Sequence, residues 1–259
     1  MAEKVVAPHP EGIKGEVFEA LHENLCAARP EYVGQDVVLC PVCLREIRKE
    51  EILRTGYEHI IPRAVVREDP PDLAMNLSVN QRCGATVLCR QPRPRLDGNG
   101  EAKDGCNGLK GSLYDWWLRG LLGNAGIDRE NVNNPHNVSV AILVMAYLGA
   151  FQTYGYAYIL QPELDEVRNQ FDFPKDRKTA WLDKAFVNTS PQAPQNVMTT
   201  GGNAFGFFGQ MVDHAPLGVR FRKFVAWLPN GVWPNNTIGA QHVKTLLSLL
   251  PRLPDEPER

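Results

Sequence analysis

Cysteine side chains occur in the first half of the chain in a spacing suited to metal binding. Cys40-Pro-Val-Cys43 is a C-x-x-C motif, which places two sulfurs on one tight turn where both can reach a tetrahedral zinc ion. A single copy of this motif is equally compatible with a redox pair. Cys106 follows further along the chain, and either Cys89 or Cys83 is available as a fourth ligand. Four thiolates from two distant segments would cross-link a small region and stabilise it.

A carboxylate and an imidazole lie side by side between these cysteines, at Glu58-His59. Neighbouring residues of a strand point to opposite faces, so the two side chains cannot both belong to one buried core and each needs a polar partner. For an isolated pair, a surface position at a strand end is the simplest interpretation. The location of this pair inside the segment bounded by the cysteines favours a functional interpretation instead.

The order of these motifs resembles that of the HNH endonucleases of the ββα-metal type, in the branch where four cysteines bind zinc. It runs C-x-x-C, then E-H-I-I-P-R, then a further cysteine, then C-N-x-x-K-G, and it covers roughly Val38–Leu121. The resemblance implies an α+β fold in which a structural zinc ion stabilises the nuclease unit. Cys89 is preferred to Cys83 because Val87-Leu88 gives it an apolar lead-in, and residues 90–105 are then an insertion. The implied zinc ligands are Cys40, Cys43, Cys89 and Cys106.

The same resemblance implies a mechanism for cutting DNA. His59 matches the general base that takes a proton from water, and a neutral imidazole is available for this at physiological pH. Glu58 and Asn107 match the ligands of a catalytic Mg²⁺ or Mn²⁺ ion. Lys110 and Arg63 are expected to contact phosphate. The family more often has Asp or His at the position of Glu58, which leaves the metal affinity open.

Other parts of the motif are less well defined. The asparagine that orients the loop carrying the base is Asn76 or Asn80, with a weak preference for Asn76. Arg93 and Arg95 lie in the insertion and are expected to add sequence-independent affinity for DNA, although a loop without a role explains them almost as well. Stand-alone proteins of this type typically belong to bacterial or phage defence, restriction or mobile elements.

Two competing functions fit part of the sequence. The first is a zinc-bound DNA-binding module with a silent nuclease site, which the presence of Glu58, His59, Asn107 and Lys110 together disfavours. The second is a redox protein using Cys40 and Cys43, which does not explain the later cysteine motif.

Composition sets the wider limits. The chain has 259 residues, 43% of them hydrophobic and 22% charged, with a formal net charge of −2. This excludes a wholly disordered chain and one that coats nucleic acid by charge alone. Six cysteines are too few for a disulfide scaffold, and no apolar leader opens the sequence, so a cytoplasmic location is expected.

The chain is predicted to contain three parts: a helical arm at residues 1–35, the nuclease domain at 36–123 and an α+β domain of unknown role at 124–259. Val140–Leu160 is free of charged residues, but its glycines and four tyrosines favour a buried core helix over a membrane span. Gly206–Leu228 predicts two strands. A homodimer, or a partner protein bound through the last part, is compatible with the sequence.

Overall fold

The chain is described by a computed structural model. The description covers residues 11–67, 82–94, 100–122, 135–171, 186–189, 206–208, 218–221 and 224–228. Over these ranges the fold is α+β, as predicted, with a group of helices, three short antiparallel strand pairs and one antiparallel sheet of four strands. The predicted boundary near residue 123 lies outside the described residues.

The first half begins with helix α1 (Gly12–Ala28), which buries Phe18 and Leu25. Strands β1 (Val37–Leu39) and β2 (Glu46–Arg48) form a hairpin with Leu39 opposite Glu46. Helix α2 (Lys49–Thr55) ends at Gly56, where a φ of 86° allows the Gly56 N–H to donate to the Ile52 carbonyl. This turn sends the chain directly into strand β3.

Two further short strand pairs follow in the predicted nuclease segment, ahead of a helical run. Strand β3 (Glu58–His59) pairs antiparallel with strand β4 (Ala85–Thr86), and helix α3 (Arg63–Arg67) lies between them in the chain. Strands β5 (Arg93–Pro94) and β6 (Glu101–Ala102) form a further hairpin. Helix α4 (Gly105–Leu109) follows, passes through a π-helical turn at Lys110–Asp115, and continues as helix α5 (Trp116–Leu122).

Helix α6 (Pro135–Ile159) lies at the centre of the core, where the sequence predicts a buried helix. Every residue from Ala141 to Phe151 is buried, because α1, α5 and the four-stranded sheet all pack against this helix. A helix that is apolar on all sides must be covered on all sides. Within the described part of the chain, no helix combines the length and the apolarity needed to cross a membrane.

The remaining elements close the core. Helix α7 (Asp165–Gln170) follows a single 3-10 turn at Pro162–Leu164. Strands β7 (Phe186–Thr189), β8 (Gly206–Phe208), β9 (Gly218–Phe221) and β10 (Phe224–Trp227) form the sheet, in the order β7-β10-β9-β8. Gly206–Leu228 therefore contains three strands where the sequence predicts two.

Candidate metal centre and adjoining polar site

Four cysteine sulfurs converge at one point of the fold. Those of Cys40, Cys43, Cys89 and Cys106 all lie within 4.8 Å of one another. The sulfurs of Cys43 and Cys89 are 3.4 Å apart. A tetrahedral zinc ion with Zn–S bonds of about 2.3 Å needs sulfurs separated by about 3.8 Å, so the cluster has the dimensions of such a site. Cys83, the alternative ligand, is buried elsewhere and is not part of this cluster.

The turn between β1 and β2 brings the first two sulfurs together. The Cys40 N–H donates to the Arg45 carbonyl at 2.8 Å, and the Leu44 N–H donates to the Cys40 carbonyl at 2.9 Å. Leu44 has a φ of 56°, a left-handed conformation that side chains other than glycine rarely adopt. The cost of this conformation, about 1–2 kcal/mol, is tolerated where the surrounding structure fixes it. Here it closes the C-x-x-C turn.

The second pair of sulfurs is brought together by direct backbone contact across the insertion. The Asn107 N–H donates to the Cys89 carbonyl at 3.1 Å, and the Cys106 N–H donates to the Cys89 sulfur at 3.4 Å. Gly105 has a φ of 59°, and a Cβ at this position would overlap the Cys89 carbonyl. Residues 90–105 therefore leave and return to the same point, as an insertion within a metal-binding motif must.

The thiols influence each other's ionisation strongly. Hydrogen bonding to Cys106 lowers the pKa of Cys43 and of Cys89, whereas hydrogen bonds with Cys40 and the other thiols raise that of Cys106. Burial raises the pKa of Cys40. The protein groups alone thus stabilise the thiolate form of Cys43 and Cys89 and the neutral thiol form of Cys40 and Cys106. They do so because four negative charges cannot share a buried site. A divalent cation removes this conflict, since it binds all four sulfurs as thiolates.

Two buried tyrosines of α6 form hydrogen bonds with the backbone in and next to the C-x-x-C turn. The Tyr147 hydroxyl donates to the Pro41 carbonyl at 2.5 Å, and the Tyr156 hydroxyl donates to the Leu39 carbonyl at 2.6 Å and accepts from the Leu39 N–H at 2.9 Å. Burial raises the pKa of both hydroxyls, so both remain protonated. The sequence predicts these tyrosines only as core residues. The sequence feature that could have indicated their polar contacts is the repetition of tyrosine on a helix without charged residues.

Glu58 lies beside the cysteine cluster's second segment, in β3. It is opposite Thr86 of β4, and its side chain is 22% exposed. Its carboxylate oxygens lie 3.6 Å from Arg90 Nη2 and 3.7 Å from Lys110 Nζ. This carboxylate is therefore placed between two cationic groups.

Lys110 is fully buried and is held by two carboxylates. Besides Glu58, its Nζ contacts Asp115 Oδ1 at 2.6 Å. Residues five apart do not share a face of a regular α-helix, and the π-helical turn is what aligns them. Burial raises the pKa of Asp115 to about 6 despite this lysine. Sequence reasoning misses Asp115, because the regular helix spacing places it away from Lys110.

Asn107 has a buried amide oxygen close to the cysteine cluster in the chain. Its Oδ1 is buried and accepts no hydrogen bond from the residues that the structure describes. Asn107 lies three residues before Lys110 on the same helical run, so the two side chains share a face. Buried amide oxygens are almost always satisfied, and an exception at this position is consistent with a ligand that the protein itself does not supply.

His59 follows Glu58 in β3 and is opposite Ala85. Its side chain is half-buried, and its ring centroid lies 5.6 Å from that of Tyr57 at an interplanar angle of 60°.

The predicted phosphate contacts differ in their placement. Arg63 is exposed at the start of α3. Arg93 is buried and donates its Nε to the Cys106 sulfur at 3.3 Å, so its guanidinium faces the cysteine cluster and not the solvent. Arg95, Asn76 and Asn80 lie outside the described residues.

Comparison of the chain with protein families, with characterised proteins and with solved structures finds no match. Among the residues that the structure describes, the cluster of four cysteines could hold a metal such as zinc.

Proposed function

We propose that the protein is a metal-dependent DNA endonuclease of the HNH type, in which zinc bound by the four cysteines holds the nuclease elements together. The observation that carries the proposal is the contact between Glu58 and Lys110 beside the cysteine cluster, with Asn107 three residues before Lys110 on the same helical run. The first lies on a strand and the other two on the helix that follows the strand pair, which is the ββα order that the family resemblance implies.

The oxygen donors of this site fit a hard divalent cation. Glu58 offers a partly exposed carboxylate, and Asn107 offers an amide oxygen that the described protein groups leave without a hydrogen bond. Carboxylate and amide oxygens are ligands that Mg²⁺ and Mn²⁺ prefer. Such an ion, when bound, would neutralise the charge that develops on the scissile phosphate and leaving oxygen.

His59, Lys110 and Arg63 have roles other than binding the metal. His59 accepts a proton from the attacking water, a step that a general base typically accelerates by about 10²–10⁴-fold. Lys110 is buried against two carboxylates, so it orients Glu58 and does not itself reach DNA. Exposed Arg63 is available to contact a phosphate of the backbone.

The test is cleavage of supercoiled plasmid by the zinc-loaded full chain, with Mg²⁺, with Mn²⁺ and with neither. We expect metal-dependent nicking or linearisation that falls by at least about 10²-fold in His59→Ala. Glu58→Gln and Asn107→Ala should require more metal. Glu50→Gln makes the same chemical change as Glu58→Gln on an exposed side chain of α2 and should cleave normally.

Zinc content and thermal unfolding are measured for every variant, so that loss of folding is not mistaken for loss of chemistry. Cleavage that persists in His59→Ala would refute the assigned base. A zinc-loaded wild type that binds plasmid without cutting it in either metal would instead establish the silent DNA-binding module.

A further inference from the structure

We propose that Arg93 is a positioning residue of the four-cysteine metal centre, where its guanidinium offsets the charge of the thiolates and donates a hydrogen bond to one of them. The proposal goes beyond the nuclease assignment, because it concerns the metal centre and holds whether or not the protein cuts DNA.

Arg93 contacts the cysteine cluster directly from a buried position. Arg93 is 3% exposed, and its Nε lies 3.3 Å from the Cys106 sulfur. Its Nη1 donates to the Pro94 carbonyl at 3.2 Å. The guanidinium therefore donates one N–H to a sulfur of the cluster and another to the backbone of its own strand, and the second bond orients it toward the cluster.

The strand pairing within the insertion positions Arg93 next to the cluster. Arg93 is opposite Ala102 in the β5–β6 hairpin, and Ala102 lies four residues before Cys106. The Arg45 side chain, from the C-x-x-C turn, donates to the Pro92 carbonyl at 3.0 Å and so ties the hairpin to the opposite half of the cluster. Arg93 is therefore fixed between the two ligand segments.

Electrostatics explains why a charged side chain is buried here. Arginine keeps its charge inside proteins, so burying it is costly unless negative charge lies nearby. A divalent ion cancels only half of the charge of four thiolates. The guanidinium offsets part of the remainder at Cys106, and each group thereby reduces the cost of burying the other. Partners in this outer position typically contribute about 10–100-fold to metal affinity.

The experiment measures zinc affinity by competition with a chromophoric chelator at fixed pH, for the full chain. We expect Arg93→Gln to bind zinc about 10–100-fold more weakly than the wild type. Arg93→Lys, which keeps the charge, should fall between the two. Arg48→Gln removes one positive charge from an exposed position of β2 and should bind zinc as the wild type does.

A spectroscopic readout separates this role from simple packing. With Co²⁺ in place of zinc, the sulfur-to-metal charge-transfer band reports the electron density on the thiolates. Loss of the hydrogen bond to Cys106 raises the energy of the sulfur lone pair, so the band should move to longer wavelength in Arg93→Gln and not in Arg48→Gln.

Unchanged zinc affinity together with an unshifted band in Arg93→Gln would overturn the proposal. So would equal weakening in Arg93→Gln and Arg48→Gln, which would indicate a general effect of charge. If Arg93→Gln does not fold, Arg93→Lys and the cobalt band decide: a wild-type affinity with a wild-type band in Arg93→Lys would then refute the need for the guanidinium hydrogen bond.

Discussion

The hydroxyl group of Tyr156 is expected to contribute strongly to stability, and the same helix provides its control. In Tyr156→Phe, the Leu39 N–H and carbonyl, which the hydroxyl now contacts at 2.9 and 2.6 Å, both lose this partner inside the core. Each buried group left without a partner costs about 1–3 kcal/mol, so we expect a loss of about 2–5 kcal/mol after some relaxation.

Tyr158→Phe is the matched control. Tyr158 is as deeply buried on the same helix, but its hydroxyl has no hydrogen-bond partner among the residues that the structure describes. Removing an unsatisfied buried hydroxyl relieves its desolvation cost, so stability should be unchanged or higher by about 1 kcal/mol. The three proteins are compared by equilibrium urea unfolding in the presence of zinc.

The contrast between the two variants is the result that matters. Tyr147→Phe, which loses the hydroxyl contacts to the Pro41 carbonyl and to Arg168, should also be destabilised relative to Tyr158→Phe. Equal destabilisation by Tyr156→Phe and Tyr158→Phe would refute the reasoning. It would show that the hydroxyls contribute through packing and not through hydrogen bonds to the backbone beside the C-x-x-C turn.

Two further predictions concern the segment from Gly105 to Asp115. Gly105→Ala should lose at least about 2 kcal/mol of unfolding free energy and bind zinc more weakly, because its φ of 59° is strained for alanine and its Cβ would overlap the Cys89 carbonyl. Gly111→Ala, at an open position of the same helical run, should be neutral or slightly stabilising, and loss in both variants would contradict this explanation. Asp115 has a pKa raised from 3.8 to about 6, so its contribution to stability is complete below pH 3.8 and is lost as the pH rises through about 6. The stability of wild type relative to Asp115→Asn should therefore decline by about 2 kcal/mol between pH 4 and pH 7 in urea unfolding, and a pH-independent difference would show that burial does not perturb this carboxyl.

The sequence is sufficient to predict which four cysteines come together in a cluster that could hold a metal, because metal ligation restricts residue type and local spacing. The C-x-x-C motif and Cys106 are recognisable from residue type and order alone, and the apolar lead-in to Cys89 distinguishes it from Cys83. The structure brings this set of four together. The α+β class and the buried helix α6 follow from hydrophobic pattern, which is determined by burial itself.

Features that depend on long-range geometry could not be predicted. The pairing of Lys110 with Asp115 needs a π-helical turn, and helical periodicity cannot indicate where a π-turn occurs. The sequence predicts that Arg93 faces DNA, because an arginine in a loop rich in proline and glycine is usually exposed. Its burial depends on a two-residue hairpin pairing that no local pattern indicates. Three strands occur at residues 206–228 where the sequence predicts two, since each is only three or four residues long.

The cysteine cluster and the polar site are built on the same backbone segments, so a metal bound by the cysteines would stabilise the proposed site. Cys106 directly precedes Asn107, whose N–H is bonded to Cys89, and Cys89 follows the strand opposite Glu58. Strands β3 and β4 pair over two residues each, and hydrogen bonds from the Ile60 and Ile61 N–H groups to the Gly84 and Cys83 carbonyls extend the pairing. These hydrogen bonds and the four-cysteine cluster together position the segments that carry Glu58 and Asn107. Loss of the metal should weaken the polar site and also loosen the hydrogen bonds that Tyr147 and Tyr156 of helix α6 make beside the C-x-x-C turn.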